Sequence, residues 1–434
     1  MRSKLHVRIF EVPYRIWAWV LIGMVSALLF ALVPGQPGGM VGKAGFQGAV
    51  PEEFKSFVRQ VDRARGGENP YFGPWERQPY PYSPAVLALG TFWVGGEQAR
   101  LEKPGVTGAD AGGGEDGDGA RLEADWLTAS RFCILALALA LVLGSSYSRR
   151  RSVVCLMAGM VLAWPGVFEA LRSGHLEFWI LVLAVVSAVL LRPRPGVAGL
   201  ALGLLPGLKL GTALLFLPYL LVMMSSHWNL YGKRSKRARH FMTGYLIGIV
   251  TWGAAAPSLV FGSDRARTLL ELWYQQVVFA PQSLFISADN QSAWVSGMRW
   301  FETAPGIGLG LSAILLGLLL GVLIRRPMPA LSEPWRWLAP WLLFLQLVHP
   351  ISWKWGSLFL LGAPFAVWDR AADESPGVER SALRTATVIA CGVLWLIGVA
   401  APALWSGNAA NGLWVRVLES SPSFLWFLTA LLAA

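Results

Sequence analysis

Charged residues are scarce in this sequence: they make up 15% of the chain, against about 25% in soluble domains. Cysteines are few as well, and Cys133, Cys155 and Cys391 all lie within apolar runs, which gives no sign of a disulfide or metal framework. The net charge is +11, but the basic residues stand in short loops between apolar runs. They are therefore interpreted as signals of membrane topology, and no nucleic acid partner is predicted.

Apolar runs of membrane-spanning length, roughly 20 residues, recur along the whole chain. They lie at residues 16–34, 127–144, 153–171, 175–192, 241–260, 305–324, 335–349, 353–368 and 383–404. The run 196–224 is interrupted by Pro206-Gly207 and predicts two short helices that meet at Lys209. The first run lacks a small-residue cleavage site, which predicts an uncleaved helix. The sequence therefore predicts an all-α polytopic membrane protein with a single domain over residues 1–434.

The basic loops set the predicted orientation, because cytoplasmic loops are enriched in Lys and Arg. These loops are the N-terminus and residues 149–151, 192–194, 233–239 and 325–326. If all of these loops lie on the cytoplasmic side, segment 84–96 must enter the membrane and return to the same side. The Gly-rich acidic loop 97–126 is predicted to be flexible. The remaining polar segments are residues 35–83, 172–177, the region around Lys209, 262–304 and 349–354. All of them then fall on the outer face of a bacterial-type cytoplasmic membrane.

The first outer segment has the pattern of an amphipathic helix lying on the membrane surface. Its apolar residues recur at helical spacing: Phe54, Phe57, Val58 and Val61. Glu52 and Glu53 precede them, and acidic residues in this place are typical of a helix N-terminus, where they complement the dipole. A turn at residues 66–71 and the sequence Y-P-Y-S-P at residues 80–84 follow.

The spacing E-F-x-x-F, then G-x-N-P-Y, then Y-P-Y-S-P resembles the start of glycosyltransferase family 87. Members are polyprenol-phosphate-mannose-dependent mannosyltransferases with the GT-C fold. Four further segments resemble family motifs in the same order: residues 174–177, 203–217, 289–292 and 349–353. The resemblance covers about residues 16–370. It implies a GT-C-like bundle of about 11 to 13 membrane segments, in which residues 35–83 form an outer catalytic loop of short amphipathic helices.

The resemblance also implies an inverting sugar transfer in which Glu53, in place of the family's aspartate, is the general base. Such a transfer needs a carboxylate to take the proton of the acceptor hydroxyl. Lys209 is the candidate partner of the donor phosphate, with snorkelling to the interface as the alternative. Arg59 and Lys354 are further phosphate candidates, or contacts of solvent and lipid headgroups. We expect an apolar groove beside Lys209 for the polyprenyl chain.

The polar residues of the matching segments are candidate substrate contacts: Asn69, Tyr82, His175, Glu177, Asn290, Gln291 and His349. The two histidines are equally typical of satisfied polar groups at helix ends. His175 and Glu177 replace the family's glutamine and asparagine, and Lys354 stands near the place of a family histidine, so a divergent sugar is compatible with the sequence. The predicted partners are a polyprenyl-phosphate-linked sugar, a lipid or glycan acceptor, and membrane lipids, and nothing in the sequence requires a cofactor or metal.

Trp294 and Trp300 are first interpreted as part of an interfacial tryptophan belt, with stacking on a sugar ring as the alternative. A transporter or flippase of lipid-linked sugars is the main competing function. It would show an internal repeat and polar residues near the bilayer midplane, whereas this sequence has no evident repeat and its polar groups are predicted to be superficial. A structural membrane protein would not need a carboxylate and a lysine on one face.

Overall fold

The computed structural model describes residues 52–71, 83–93, 176–224, 234–275, 292–325 and 334–349, together with single residues between 126 and 136. Within these ranges the chain is helical and contains no strand. Several predicted features lie outside the described residues: the runs 16–34, 153–171, 353–368 and 383–404, and nearly all of the loop 97–126.

Most of the described helices follow the predicted apolar runs or the predicted amphipathic segment, whereas two helices, at residues 263–273 and 293–300, lie between runs where the sequence predicted no helix. They are α1 (Glu52–Arg65), α2 (Pro84–Trp93), α3 (Glu177–Leu190), α4 (Pro195–Leu208), α5 (Phe216–Met224), α6 (Arg234–Val250), α7 (Ala256–Phe261), α8 (Ser263–Trp273), α9 (Ala293–Trp300), α10 (Pro305–Arg325) and α11 (Pro334–Val348). A 3₁₀ segment, Leu210–Leu215, precedes α5, and a π-helical segment, Thr251–Ala255, joins α6 to α7. The apolar runs predicted at 175–192, 305–324 and 335–349 are confirmed as helical, in α3, α10 and α11, and of these three helices α10 is long enough to cross a membrane.

The start of α6 corrects the prediction that residues 233–239 form a basic loop. The helix begins at Arg234, well before the apolar run that was predicted to start at residue 241. Lys and Arg are good helix formers, so the helix extends through them although hydropathy marks only the apolar part. The basic residues therefore belong to the first turns of the helix.

The predicted amphipathic helix is confirmed as α1, but protein rather than a membrane covers its apolar face. Phe54, Val58 and Val61 are buried in the core. The helix packs on α2, where Val61 and Phe57 leave no room for a Cβ at Gly90. Helix α2 itself is about 15 Å long, which agrees with the prediction that this segment does not cross a bilayer.

Helices α4 and α6 run parallel and touch through their backbones. Gly199 faces the carbonyl of Phe241, and Gly203 faces the carbonyl of Tyr245, so that a Cβ at either glycine would collide with the backbone of α6. Both pairs advance in the same direction along the two helices, which shows that the helices are parallel. Small residues four positions apart permit this close approach, as in membrane helix pairs.

Neighbouring helices are antiparallel in the hairpin of α3 and α4. Ser187, near the end of α3, donates its hydroxyl to the carbonyl of Ala198 near the start of α4, at 2.8 Å. Consequently the first turn of α3 and the last turn of α4 lie at the same end of the bundle. The basic residues Arg192 and Arg194 lie at the opposite end, in the connection between the two helices.

Substitution Gly199→Ala should lower the free energy of unfolding by about 1–3 kcal/mol, because the added methyl group must push the backbones of α4 and α6 apart. Gly317→Ala on α10 is the matched control, since nothing lies within 4 Å of its added Cβ. That control should be neutral or gain up to about 1 kcal/mol from the better helix propensity of alanine. The measurement is the thermal unfolding of the two variants in detergent. Equal stability of Gly199→Ala and Gly317→Ala would contradict the backbone contact between α4 and α6.

Candidate functional site

Lys209 occupies a break between two helices, as the sequence predicts. Helix α4 passes through Pro206 and ends at Leu208, after which Lys209 is extended, with φ −150° and ψ 114°. Its N–H donates to the carbonyl of Leu205 at 3.0 Å, and its own carbonyl accepts from the N–H and the hydroxyl of Thr212 at 2.9 and 2.7 Å. Hydrogen bonds on both sides thus hold the lysine backbone in place.

The ammonium of Lys209 pairs with the carboxylate of Glu177. Nζ lies 3.3 Å from Oε1, and the side chains are 11% and 1% exposed. Buried charges are tolerated mainly in such pairs, and the position of Glu177 in the first turn of α3 also favours a negative charge. Two residues predicted for separate roles, phosphate binding and substrate binding, are therefore joined in one pair.

His349 reaches the same break from the end of α11. Its N–H donates to the carbonyl of Leu345 at 2.9 Å. Its imidazole lies directly against Gly211, where it leaves no room for a Cβ. Since Gly211 stands two residues after Lys209, the structure brings His349 into the neighbourhood of the Glu177–Lys209 pair.

Ser83 connects the outer segment to this break. Its hydroxyl donates to the carbonyl of Gly207 in the last turn of α4. The same oxygen accepts from the N–H of Val86 at 3.3 Å and so caps the start of α2. Because α1 packs on α2, the helix that carries Glu53 is linked to the Lys209 break through Ser83.

The remaining predicted residues of the outer segment have different surroundings. Glu53 lies in the first turn of α1, but its side chain is outside the described part of the structure. Arg59 is exposed on α1. Asn69 shapes the turn that follows, because its Oδ1 accepts from the N–H of Tyr71 at 3.0 Å. His175, Tyr82, Asn290, Gln291 and Lys354 all lie outside the described residues.

The turn that contains Asn69 is hydrogen-bonded to helix α8. A guanidinium nitrogen of Arg265 donates to the carbonyl of Glu68. Tyr71 is 1% exposed, and this burial raises the pKa of its phenol well above the usual value, while the positive charge of Arg265 acts in the opposite direction. Two segments that the sequence assigns to the outer side are therefore in contact.

The start of α9 also meets the end of α11. The indole N–H of Trp294 donates to the carbonyl of Val348 at 2.8 Å, and the hydroxyl of Ser292 accepts from the N–H of Val295 at 3.2 Å. Trp294 thus donates its indole N–H to a backbone carbonyl of the protein. Trp300 is 47% exposed, in keeping with such a belt.

Trp252 is a residue of this region that sequence reasoning missed. It belongs to the π-helical segment Thr251–Ala255, and its indole ring leaves no space for a Cβ at Gly207. Its buried N–H makes no hydrogen bond in the described part of the chain. Single-turn π segments inside helices are frequent at functional sites, but no local sequence pattern marks this one.

The Lys209 break is recessed from the end of the bundle. Trp252 lies level with Gly207, and α7 continues beyond it to Phe261, roughly 13 Å farther along the helix axis. Helix α7 thus extends past the level of the polar cluster. Among the described residues, no three His, Cys, Asp or Glu side chains are grouped as metal ligands are.

Comparison with known proteins finds a family model that matches this chain. The family model described as glycosyltransferase family 87 matches residues 123–350, slightly more than half of the chain. The matched range contains Glu177, Lys209 and His349, whereas Glu53 and the turn 66–71 precede it. Curated proteins were also compared, and none of them matches the chain.

Ser83→Ala should loosen the connection between α2 and the Lys209 break. It removes a helix cap, worth about 0.5–2 kcal/mol, and takes away the hydroxyl that bonds the Gly207 carbonyl. Thr91→Val is the matched control, since the Thr91 hydroxyl bonds the carbonyl of Ala88 within the same helix, at 2.7 Å. We expect Ser83→Ala to unfold at a lower temperature than Thr91→Val; identical unfolding temperatures of the two variants would contradict the link.

Proposed function

Because the chain belongs to glycosyltransferase family 87 and is therefore a glycosyltransferase, we propose that it moves a sugar from a polyprenyl-phosphate donor to an acceptor hydroxyl. The observation that supports this best is the cation of Lys209 in a recessed break beside Glu177 and His349. Mannose is the sugar that the family resemblance implies, and the acceptor is a lipid or a glycan.

The apolar exterior supports the proposal that the enzyme is a multi-pass membrane protein. Two helical stretches, Lys236–Phe261 and Pro305–Arg325, are long and apolar enough to cross a membrane. Many apolar side chains of α10 are exposed, among them Ile314 at 60% and Leu318 at 63%. Lipid would cover such surfaces, as expected for a GT-C-like bundle of about 11 to 13 segments in one domain, with its active site on the outer face.

Lys209 is proposed to bind the donor phosphate. A lysine ammonium acts on phosphate as a compact positive charge. Leu210 and Leu214, directly after it, are 45% and 43% exposed, so that apolar surface accompanies the cation. That combination suits a ligand with a charged phosphate and a prenyl chain, and Arg59 and Lys354 are proposed as further phosphate contacts.

Glu53 is proposed as the general base of an inverting reaction. The acceptor oxygen attacks the anomeric carbon as the carboxylate takes its proton, and the lipid phosphate leaves from the opposite face. The link from α1 through α2 and Ser83 to the Lys209 break supports this, because it joins the helix of Glu53 to the proposed phosphate site. Proposed sugar and acceptor contacts are His175, Glu177, Asn69, Tyr82, Asn290, Gln291 and His349.

Glu53→Gln should reduce the rate of transfer by roughly 100- to 10,000-fold, since it keeps the size of the side chain but removes its basicity. Glu52→Gln is the matched control, because successive helix residues point about 100° apart. The measurement is sugar transfer from a polyprenyl-phosphate sugar to membrane extract. If Glu52→Gln is inactive and Glu53→Gln active, the assignment is off by one residue; if both are active, the base lies elsewhere.

Lys209→Gln should lower kcat/KM for the donor by roughly 100-fold, because a phosphate contact stabilises both the bound donor and the charge of the leaving group. Lys236→Gln is the control: Lys236 is exposed near the start of α6, at the opposite end of the bundle. Its kinetics should match the wild type. A folded Lys209→Gln enzyme with unchanged donor kinetics would refute the phosphate site.

A further inference from the structure

The ammonium proposed to receive the donor phosphate is already paired with Glu177, at 3.3 Å. One lysine does not fully neutralise two anions, so a phosphate that arrives at Lys209 competes with this carboxylate. On the basis of the proposed function, we propose that Glu177 is a built-in competitor of the lipid phosphate for Lys209. It weakens phosphate binding and thereby speeds the release of the lipid phosphate product.

The geometry of the pair suits such an exchange. Charge-assisted hydrogen bonds between nitrogen and oxygen are optimal at about 2.7–2.9 Å, whereas the separation of Nζ from Oε1 is 3.3 Å. Glu177 is the deeper partner, at 1% exposure, and Lys209 is the more accessible one, at 11%. A ligand therefore meets the lysine first, and the lysine has three N–H donors with which to turn toward it.

The position of Glu177 favours a negative charge on its side chain. It lies in the first turn of α3, where the helix dipole favours an anion. Two anions around one ammonium repel each other, and this repulsion is stronger between packed helices than in water. The carboxylate therefore lowers the affinity of the site for phosphate, whether it is displaced completely or only shifted.

The reaction itself increases the need for such competition. When the bond between the anomeric carbon and the phosphate oxygen breaks, its electron pair stays on the phosphate, while the acceptor oxygen bonds to the carbon and gives up its proton to the base. The donor is a phosphodiester with one negative charge, whereas the product is a monoester with about 1.5 to 2 charges near neutral pH. The product would thus bind a lone lysine more tightly than the donor, and product release limits many enzymes.

The test measures binding of farnesyl phosphate, a short isoprenyl phosphate, to the purified full chain in nanodiscs. Glu177→Gln removes the competing charge and should tighten binding by about tenfold or more, while the affinity for uncharged farnesol stays the same. In transfer assays the same variant should lower both KM for the donor and kcat. A merely structural ion pair predicts the opposite sign, namely weaker binding as the lysine loses its support.

Two further variants keep the result decisive. Glu177→Asp retains the negative charge but moves it away from Lys209 by the length of one methylene group. This variant should bind farnesyl phosphate with intermediate affinity, and it replaces Glu177→Gln in the test if Glu177→Gln does not fold. Unchanged or weaker farnesyl phosphate binding in a folded Glu177 variant overturns the competition. If the wild type and Lys209→Gln bind farnesyl phosphate equally well, the proposed phosphate site is itself wrong; if only Lys209→Gln loses binding, that site stands and the Glu177 variants decide the competition.

Discussion

A lysine ammonium among packed helices needs an anion within hydrogen-bond reach, because breaking such a pair in the interior costs about 3–5 kcal/mol. Here Glu177 supplies the anion for Lys209, which brings the first turn of α3 to the break after α4. The neighbouring segments join at the same place: Ser83 bonds the Gly207 carbonyl, and His349 lies on Gly211. Segments far apart in the chain are thus gathered around one cation.

Close backbone packing holds that break in position from the other side. Gly199 and Gly203 let α4 lie against α6 along most of its length, and the π-helical segment continues this contact by placing Trp252 on Gly207. Van der Waals packing rather than hydrophobicity associates helices in lipid, and this glycine contact provides such packing beside the site. Hydrogen bonds hold the Lys209 backbone, while its side chain has the rotatable bonds of a four-carbon stem.

The position of the cluster does not by itself separate an enzyme from a transporter. A recessed charged pair resembles the deeper polar sites expected of transporters, and the exposed apolar surface at Leu210 and Leu214 would suit lipid in either case. Membership of glycosyltransferase family 87 decides in favour of sugar transfer. The Glu177–Lys209 pair is then relevant to the reaction, because sugar transfer changes the charge of the phosphate that the lysine is proposed to bind.

The sequence by itself determined the apolar helices of the described bundle, the amphipathic helix α1 and the break at Lys209, and its ordered motifs resemble the family whose model matches the chain. These depend on local patterns, such as apolar runs, helical periodicity and the Pro206-Gly207 interruption. Tertiary structure decided that Glu177 pairs with Lys209, that protein covers the apolar face of α1 and that Trp294 bonds Val348. Such partners depend on which faces of distant helices meet, and the residues adjacent in sequence carry no information about that.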